Sequence, residues 1–286
     1  MTRAPAERSF RGVRVPAVLY GTAWKEERTA DLVRLALDQG FRGIDTANQR
    51  RHYFEAAVGE AVAGAIAAGS VARADLFLQT KFTYAAGQDH RLPYDPLAPL
   101  AEQVRQSLAS SLEHLRTDYV DSFLLHGPSR RDRLGPADEE VWRAMEDLQR
   151  AGLTRLIGVS NVTAAQLAEL HAQAAVKPSF VQNRCYARDG WDREVRAFCR
   201  AHEIVYQGFS LLTANARELA LPAVRAVVAR TGRSVGPVVF RFAVQVGMVP
   251  LTGTSSQDHM REDLACLDLE LSEPDVRTIE AAGARN

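Results

Sequence analysis

The 286-residue chain predicts an α/β fold, a (β/α)8 TIM barrel, on three observations. Eight short runs rich in β-branched and apolar residues alternate with segments of helical spacing, the pattern of βα units around a parallel sheet. The repeats fill ~250 residues, the size of a closed barrel. The first run leads into LYGTAWKEE, which lacks the G-x-G-x-x-G phosphate loop that an open doubly wound sheet normally presents there. No linker or composition break interrupts the chain, so residues 1–286 read as a single barrel domain.

The runs are residues 15–21 (VPAVLYG), 42–47 (RGIDTA), 76–82 (LFLQTKF), 120–127 (VDSFLLHG), 155–161 (RLIGVSN), 179–185 (SFVQNRC), 204–210 (IVYQGFS) and 248–254 (MVPLTGT). Between the first two, residues 27–39 put Leu32, Val33, Ala36 and Leu37 on one stripe, and Gly40 follows as a C-terminal cap. An amphipathic stretch opens at Phe54. Further on, Leu100, Val104, Leu108, Leu112 and Leu115 share a face, and EEVWRAMEDLQRAG presents Trp142, Met145 and Leu148 before stopping at Gly152. The seventh interval is longer and holds two helical pieces, 222–230 and 235–246. In the last segment Ser272 is an N-cap with Asp275 three residues on, an acidic capping box.

Composition narrows the partners. With 35 basic and 35 acidic side chains the formal net charge is zero, which gives no electrostatic reason for a nucleic-acid or anionic-membrane partner and leaves a small molecule as the expected ligand. Three cysteines without a C-x-x-C read as reduced thiols. The N-terminal stretch has no apolar signal core, and no run approaches the ~18 apolar residues of a membrane span, so a cytoplasmic protein is expected. No His/Cys spacing of a metal site occurs. Lysine stands only at 25, 81 and 177, all other basic side chains being arginine. A deprotonable ammonium in such a chain is chemistry that arginine cannot supply.

The C-terminal ends of barrel strands face the active site. Here they carry, in order, Thr22 and Trp24, Asp45, Lys81, His126, Ser160 with Asn161, Gln182 with Asn183, Ser210 after Phe209, and Thr252 with Thr254. Asp, Lys and His on three successive strands are costly to bury unless they partner one another. If they converge with Tyr53, an ammonium beside the phenol favours phenolate, the carboxylate holds the ammonium in place, and the imidazole orients a substrate oxygen. That set can protonate a carbonyl or accept a proton from an alcohol. Hydride at carbon then has to come from a nicotinamide.

In series, GTAW, GFRGIDTA, TK, DYVDSFLLHGP, IGVSN, VQN, GFS and VPLTGTSSQDHMREDL resemble the aldo-keto reductase superfamily over most of the chain. The resemblance implies a (β/α)8 barrel, NADP(H)-dependent reduction of an aldehyde or ketone, and a catalytic set that falls on Asp45, Tyr53, Lys81 and His126. The Tyr match needs a short insertion in NQRRHY, and His52 is its rival. The same comparison gives Thr22, Ser160, Asn161, Gln182 or Asn183, Phe209, Ser210 and Leu212 to the coenzyme, with Phe209 stacking on the nicotinamide. Trp24 and the loops 83–96 and 127–136 fall to the substrate. Arg130, Arg131 and Arg133 read as a solvated charge run.

One departure concerns the adenosine end, assigned to Gly253, Thr254, His259, Glu262 and Asp263. Gly253 and His259 stand where relatives that prefer NADPH carry Lys and Arg for the 2′-phosphate, so only a modest preference for NADP(H) over NAD(H) is expected. Two other readings keep the barrel: a nicotinamide-binding regulatory subunit with vestigial catalysis, and a Lys81 Schiff-base lyase. GVSN and GFS count against the second.

Overall fold

A computed structural model describes residues 6–283; residues 1–5 and 284–286, the ends of the expected domain, lie outside the described residues. Eight parallel strands close into a barrel: β3 (Leu19–Gly21), β4 (Gly43–Asp45), β5 (Phe77–Phe82), β6 (Val120–Leu125), β7 (Thr154–Ser160), β8 (Phe180–Arg184), β9 (Val205–Phe209) and β10 (Met248–Thr252), with β10 pairing back onto β3. The expected (β/α)8 architecture is present.

The first run needs correction. Residues 15–21 do not form one strand: Val15 and Pro16 belong to an antiparallel hairpin, β1 (Glu7–Phe10) with β2 (Val13–Pro16), and only Leu19–Gly21 enters the barrel. Arg11 and Gly12, both at positive φ, make the tight turn that such hairpins require. This hairpin plugs the N-terminal end of the barrel. Val13 and Val15 join Leu19, Phe77, Leu124, Leu156, Phe180, Val205, Val249 and Leu251 in a separate apolar cluster, and Arg11 reaches Ser179 Oγ at 2.9 Å.

The outer helices fall close to their predicted spans. Thr29–Gln39 ends on Gly40 at φ +104, Leu100–Leu115 and Pro136–Arg150 bury the expected stripes, and Ser272 accepts from the Asp275 amide. The helix Glu55–Ala67 starts just after Phe54. The long seventh interval holds Pro222–Thr231 and Val235–Gln245, preceded by a short turn of helix at Ala216–Leu219.

Alternation along the strands positions the site, because side chains two apart share a face. Phe77 lies in the floor cluster, so Gln79 and Lys81 also point inward; Phe180 brings Gln182 with it, and Val205 brings Gln207. At Gly158 a Cβ would sit 2.5 Å from the Phe180 carbonyl oxygen, so the close approach of β7 and β8 needs glycine there.

Candidate active site

Lys81 is fully buried on β5 and Asp45, 3 % exposed, ends β4. Lys81 Nζ donates to Asp45 Oδ1 and Oδ2 at 2.7 and 2.8 Å and to the Thr46 carbonyl at 2.8 Å. Burial lowers the Lys81 pKa, and the Asp45 charge opposes that shift.

Tyr53 lies above this pair, its ring centre 5.3 Å from Lys81 Nζ and 6.0 Å from the His126 ring. Burial, then the Asp45 carboxylate, push the phenol well above its ordinary value. The ammonium therefore does not dominate this phenol. His126 is driven the other way, down to about 3, by burial, by the Lys81 charge and by His52. Its Nδ1 is 2.7 Å from the Thr83 hydroxyl.

His52 is placed differently from its neighbour. It stacks on Trp24 with ring centroids 4.0 Å apart, and its pKa is lowered by burial and Arg51. Two cavities meet at this point. The outer one, about 630 Å³, is bounded by Trp24, His52, Tyr84 and Arg131; the inner cleft, about 680 Å³, runs from Asp45 past Phe209 to Asp263. Tyr53 and His126 line both, whereas His52 lines only the outer.

The expected coenzyme residues divide. Ser160, Gln182, Phe209, Ser210, Leu212, Gly253, Thr254, His259, Glu262 and Asp263 all line the cleft. Asn183 does not: the strand alternation that turns Gln182 inward turns it out, and its amide is spent on both backbone groups of Val162 and on Asp192 Oδ2 at 2.8 Å. Thr22 bonds the Asp45 carbonyl at 2.9 Å and lies outside the lining. Asn161, in the left-handed region, bonds the His126 carbonyl and Ser160 Oγ and faces the outer cavity.

The structure also brings in residues that sequence reasoning missed. Lys25 extends to the Gly253 carbonyl oxygen, and its Nζ lies 3.8 Å from where a Cβ on Gly253 would stand. Arg184 packs 5.9 Å from the Phe209 ring centre and donates to Ser210 Oγ. Ser234, Val235 and Gly236 put the N-terminus of the helix Val235–Gln245 on the cleft. The predicted start of that helix at 235 was the available signal. Asp263, buried beside Thr252 at 2.6 Å, has its carboxyl pushed up to about 6 by burial.

The sequence profile of the Aldo/keto reductase family matches residues 18–284. Among curated relatives, prostaglandin F synthase 1 of Bos taurus is 28% identical over 93% of this chain and 87% of its own. NADPH-dependent codeinone reductase 1-2 of Papaver somniferum is 30% identical over 94% and 86%. Among solved structures, an aldo/keto reductase from Brucella melitensis superposes with a TM-score of 0.81 at 27% identity, covering 97% of this chain and 98% of its own. An aldo-keto reductase of Bombyx mori in complex with NADP gives 0.80 at 25%, covering 98% and 93%. With the eight-stranded barrel and the residues at its rim, these matches place the chain in the aldo/keto reductase family, whose members are NAD(P)H-dependent oxidoreductases of carbonyl and alcohol groups.

Proposed function

We propose that this protein reduces an aldehyde or ketone with NADP(H), NAD(H) being the weaker coenzyme, and that Tyr53 supplies the proton. The observation that carries this reading is the place of Tyr53 and His126, at the junction of the two cavities and next to the Lys81–Asp45 pair.

The residues of the inner cleft fit a dinucleotide. Its volume, about 680 Å³, lies within the range of ligand pockets, ~300–1,000 Å³. Phe209 offers a ring face, Ser160 and Gln182 offer polar groups for a carboxamide, and Ser210, Leu212 and the helix N-terminus at Val235 suit a pyrophosphate. Gly253, Thr254, His259, Glu262 and Asp263 bound the adenosine end, where Lys25 supplies a cation from the loop after the neighbouring strand β3. Bound there, a reduced nicotinamide supplies hydride.

Tyr53 keeps its proton through the neutral range, so it acts as an O–H donor to the carbonyl oxygen. Lys81, held by Asp45, stabilises the negative charge that this transfer leaves on the phenol. His126 stays neutral. With the Thr83 hydroxyl donating to Nδ1, its Nε2–H is left to orient the substrate oxygen. Trp24 and Arg131 bound the outer cavity, where the body of the substrate sits. We further read residues 1–286 as one domain and place it in the cytoplasm, to which three buried free thiols are suited.

The test is Tyr53→Phe. It should cut NADPH-dependent reduction of small aldehydes at least a hundredfold while the NADPH dissociation constant changes less than threefold. Turnover at the wild-type rate would refute the assignment.

A further inference from the structure

Three glutamines fill the barrel between its apolar floor and the catalytic rim. Gln79 and Gln207 are wholly buried and Gln182 is 3 % exposed. In the closed ring of eight strands β5 and β9 stand four places apart, on opposite walls. Gln79 and Gln207 nevertheless exchange hydrogen bonds across the interior, at 2.8 and 2.9 Å. Gln79 and Gln182 each donate to Asp45 Oδ1, at 2.7 and 2.9 Å, and Gln182 donates to Gln207 Oε1 at 2.9 Å.

The chemistry of the carboxylate fixes which way each amide points. A carboxylate only accepts, so Gln79 and Gln182 must both turn their NH2 groups to Asp45. Their remaining N–H groups then need an acceptor, and Gln207 Oε1 receives both. Gln207 Nε2 closes the ring on Gln79 Oε1. With both Gln182 N–H groups spent, its carbonyl oxygen is left, on a side chain that lines the cleft. An apolar side chain at 207 would strand two buried donors and free both amides to turn.

We propose that Gln207, with Gln79, is a positioning residue: a brace across the barrel that keeps Asp45 on Lys81 and holds the Gln182 carbonyl oxygen toward the cleft, where it accepts from the carboxamide N–H of the coenzyme. This rests on the reading of the cleft as a nicotinamide site. It assigns the two glutamines different effects, since Gln79 donates to Asp45 and shares no hydrogen bond with Gln182, whereas Gln207 accepts from Gln182.

The experiment compares Gln207→Met and Gln79→Met, both close in volume to glutamine, with wild type and Tyr53→Phe. Gln207→Met should weaken NADPH binding about tenfold, the loss of one hydrogen bond, while 2′-phospho-ADP-ribose, which lacks the nicotinamide, binds unchanged. In both Met variants Asp45 holds Lys81 less firmly, so the ammonium loses its proton earlier and the alkaline limb of kcat moves to lower pH. Gln79→Met should show that displacement with little change in NADPH affinity, and it carries the test alone if Gln207→Met does not fold. Folded variants with the wild-type NADPH dissociation constant and pH profile would overturn the brace. So would equal weakening of NADPH and the fragment, which marks general loosening. Full activity of Tyr53→Phe would instead strike the functional reading, leaving the coenzyme comparison interpretable.

Discussion

Lys81 and Asp45 form an ion pair closed off from solvent, Nζ lying 2.7 Å from Oδ1 and 2.8 Å from Oδ2, with neither residue more than 3 % exposed. Taking two charges out of water is expensive, and removing one partner leaves the other uncompensated. Lys81→Met should therefore cost ~3–5 kcal/mol of stability, and Asp45→Asn with Lys81→Met should recover much of it. Chemical denaturation of the single and double variants checks this. Additive losses would mean that the pair is not coupled.

His126 should carry no proton in the working range of the enzyme. Burial and the Lys81 charge bring its pKa down to about 3, so its neutral form is the native one. The unfolded imidazole binds a proton near ~6.5, hence stability should rise as pH increases from about 3 to that value and be flat above it for this group. The ring-proton NMR shift of His126 should stay constant from pH 5 to 9. Titration near neutrality would exclude its proposed role as a neutral donor.

Asp263 has the opposite sign from a salt-bridged carboxylate. Its pKa is raised to about 6 by burial, so the folded chain binds the extra proton and stability falls as pH rises from the unfolded value, ~3.9, to about 6. The penalty is absent below that window and complete above it. Asp263→Asn should therefore raise stability at pH 7.5, by at most ~3 kcal/mol, and much less at pH 4. Thermal melts at the two pH values decide, and an equal gain at both would refute the electrostatic origin.

Lys25 reaches the Gly253 carbonyl, and on the proposed reading of the cleft it supplies the cation that position 253 lacks. Lys25→Met should raise the NADPH dissociation constant about tenfold and that of NADH by clearly less, measured by fluorescence quenching. Equal effects on the two coenzymes would put Lys25 on a part of the dinucleotide that both share.

Position 52 and position 53 show how far one sequence reaches. The strand pattern placed Asp45, Lys81 and His126 at successive strand ends, and all three arrive there. The tyrosine needed an insertion to be matched. Only packing separates Tyr53, over Lys81, from His52, stacked on Trp24. Gln182 faces the cleft and Asn183 turns away from it for the same reason, because facing in or out of a barrel depends on register as well as on residue type. The hairpin over residues 7–16 stayed hidden, its short, half-polar strands giving little periodic signal.

The sequence by itself determined the alternation of strands and helices, the closed barrel that alternation builds, and the identity of the titratable groups at its rim, since these follow from local periodicity and from groups that burial forbids without partners. Tertiary structure alone decided that Gln79 meets Gln207 across the barrel, that Lys25 reaches Gly253, and that burial, and after it Asp45, raises the phenol its lysine was expected to lower. Those relations span up to 228 residues of chain and turn on distances and burial, which no local pattern encodes.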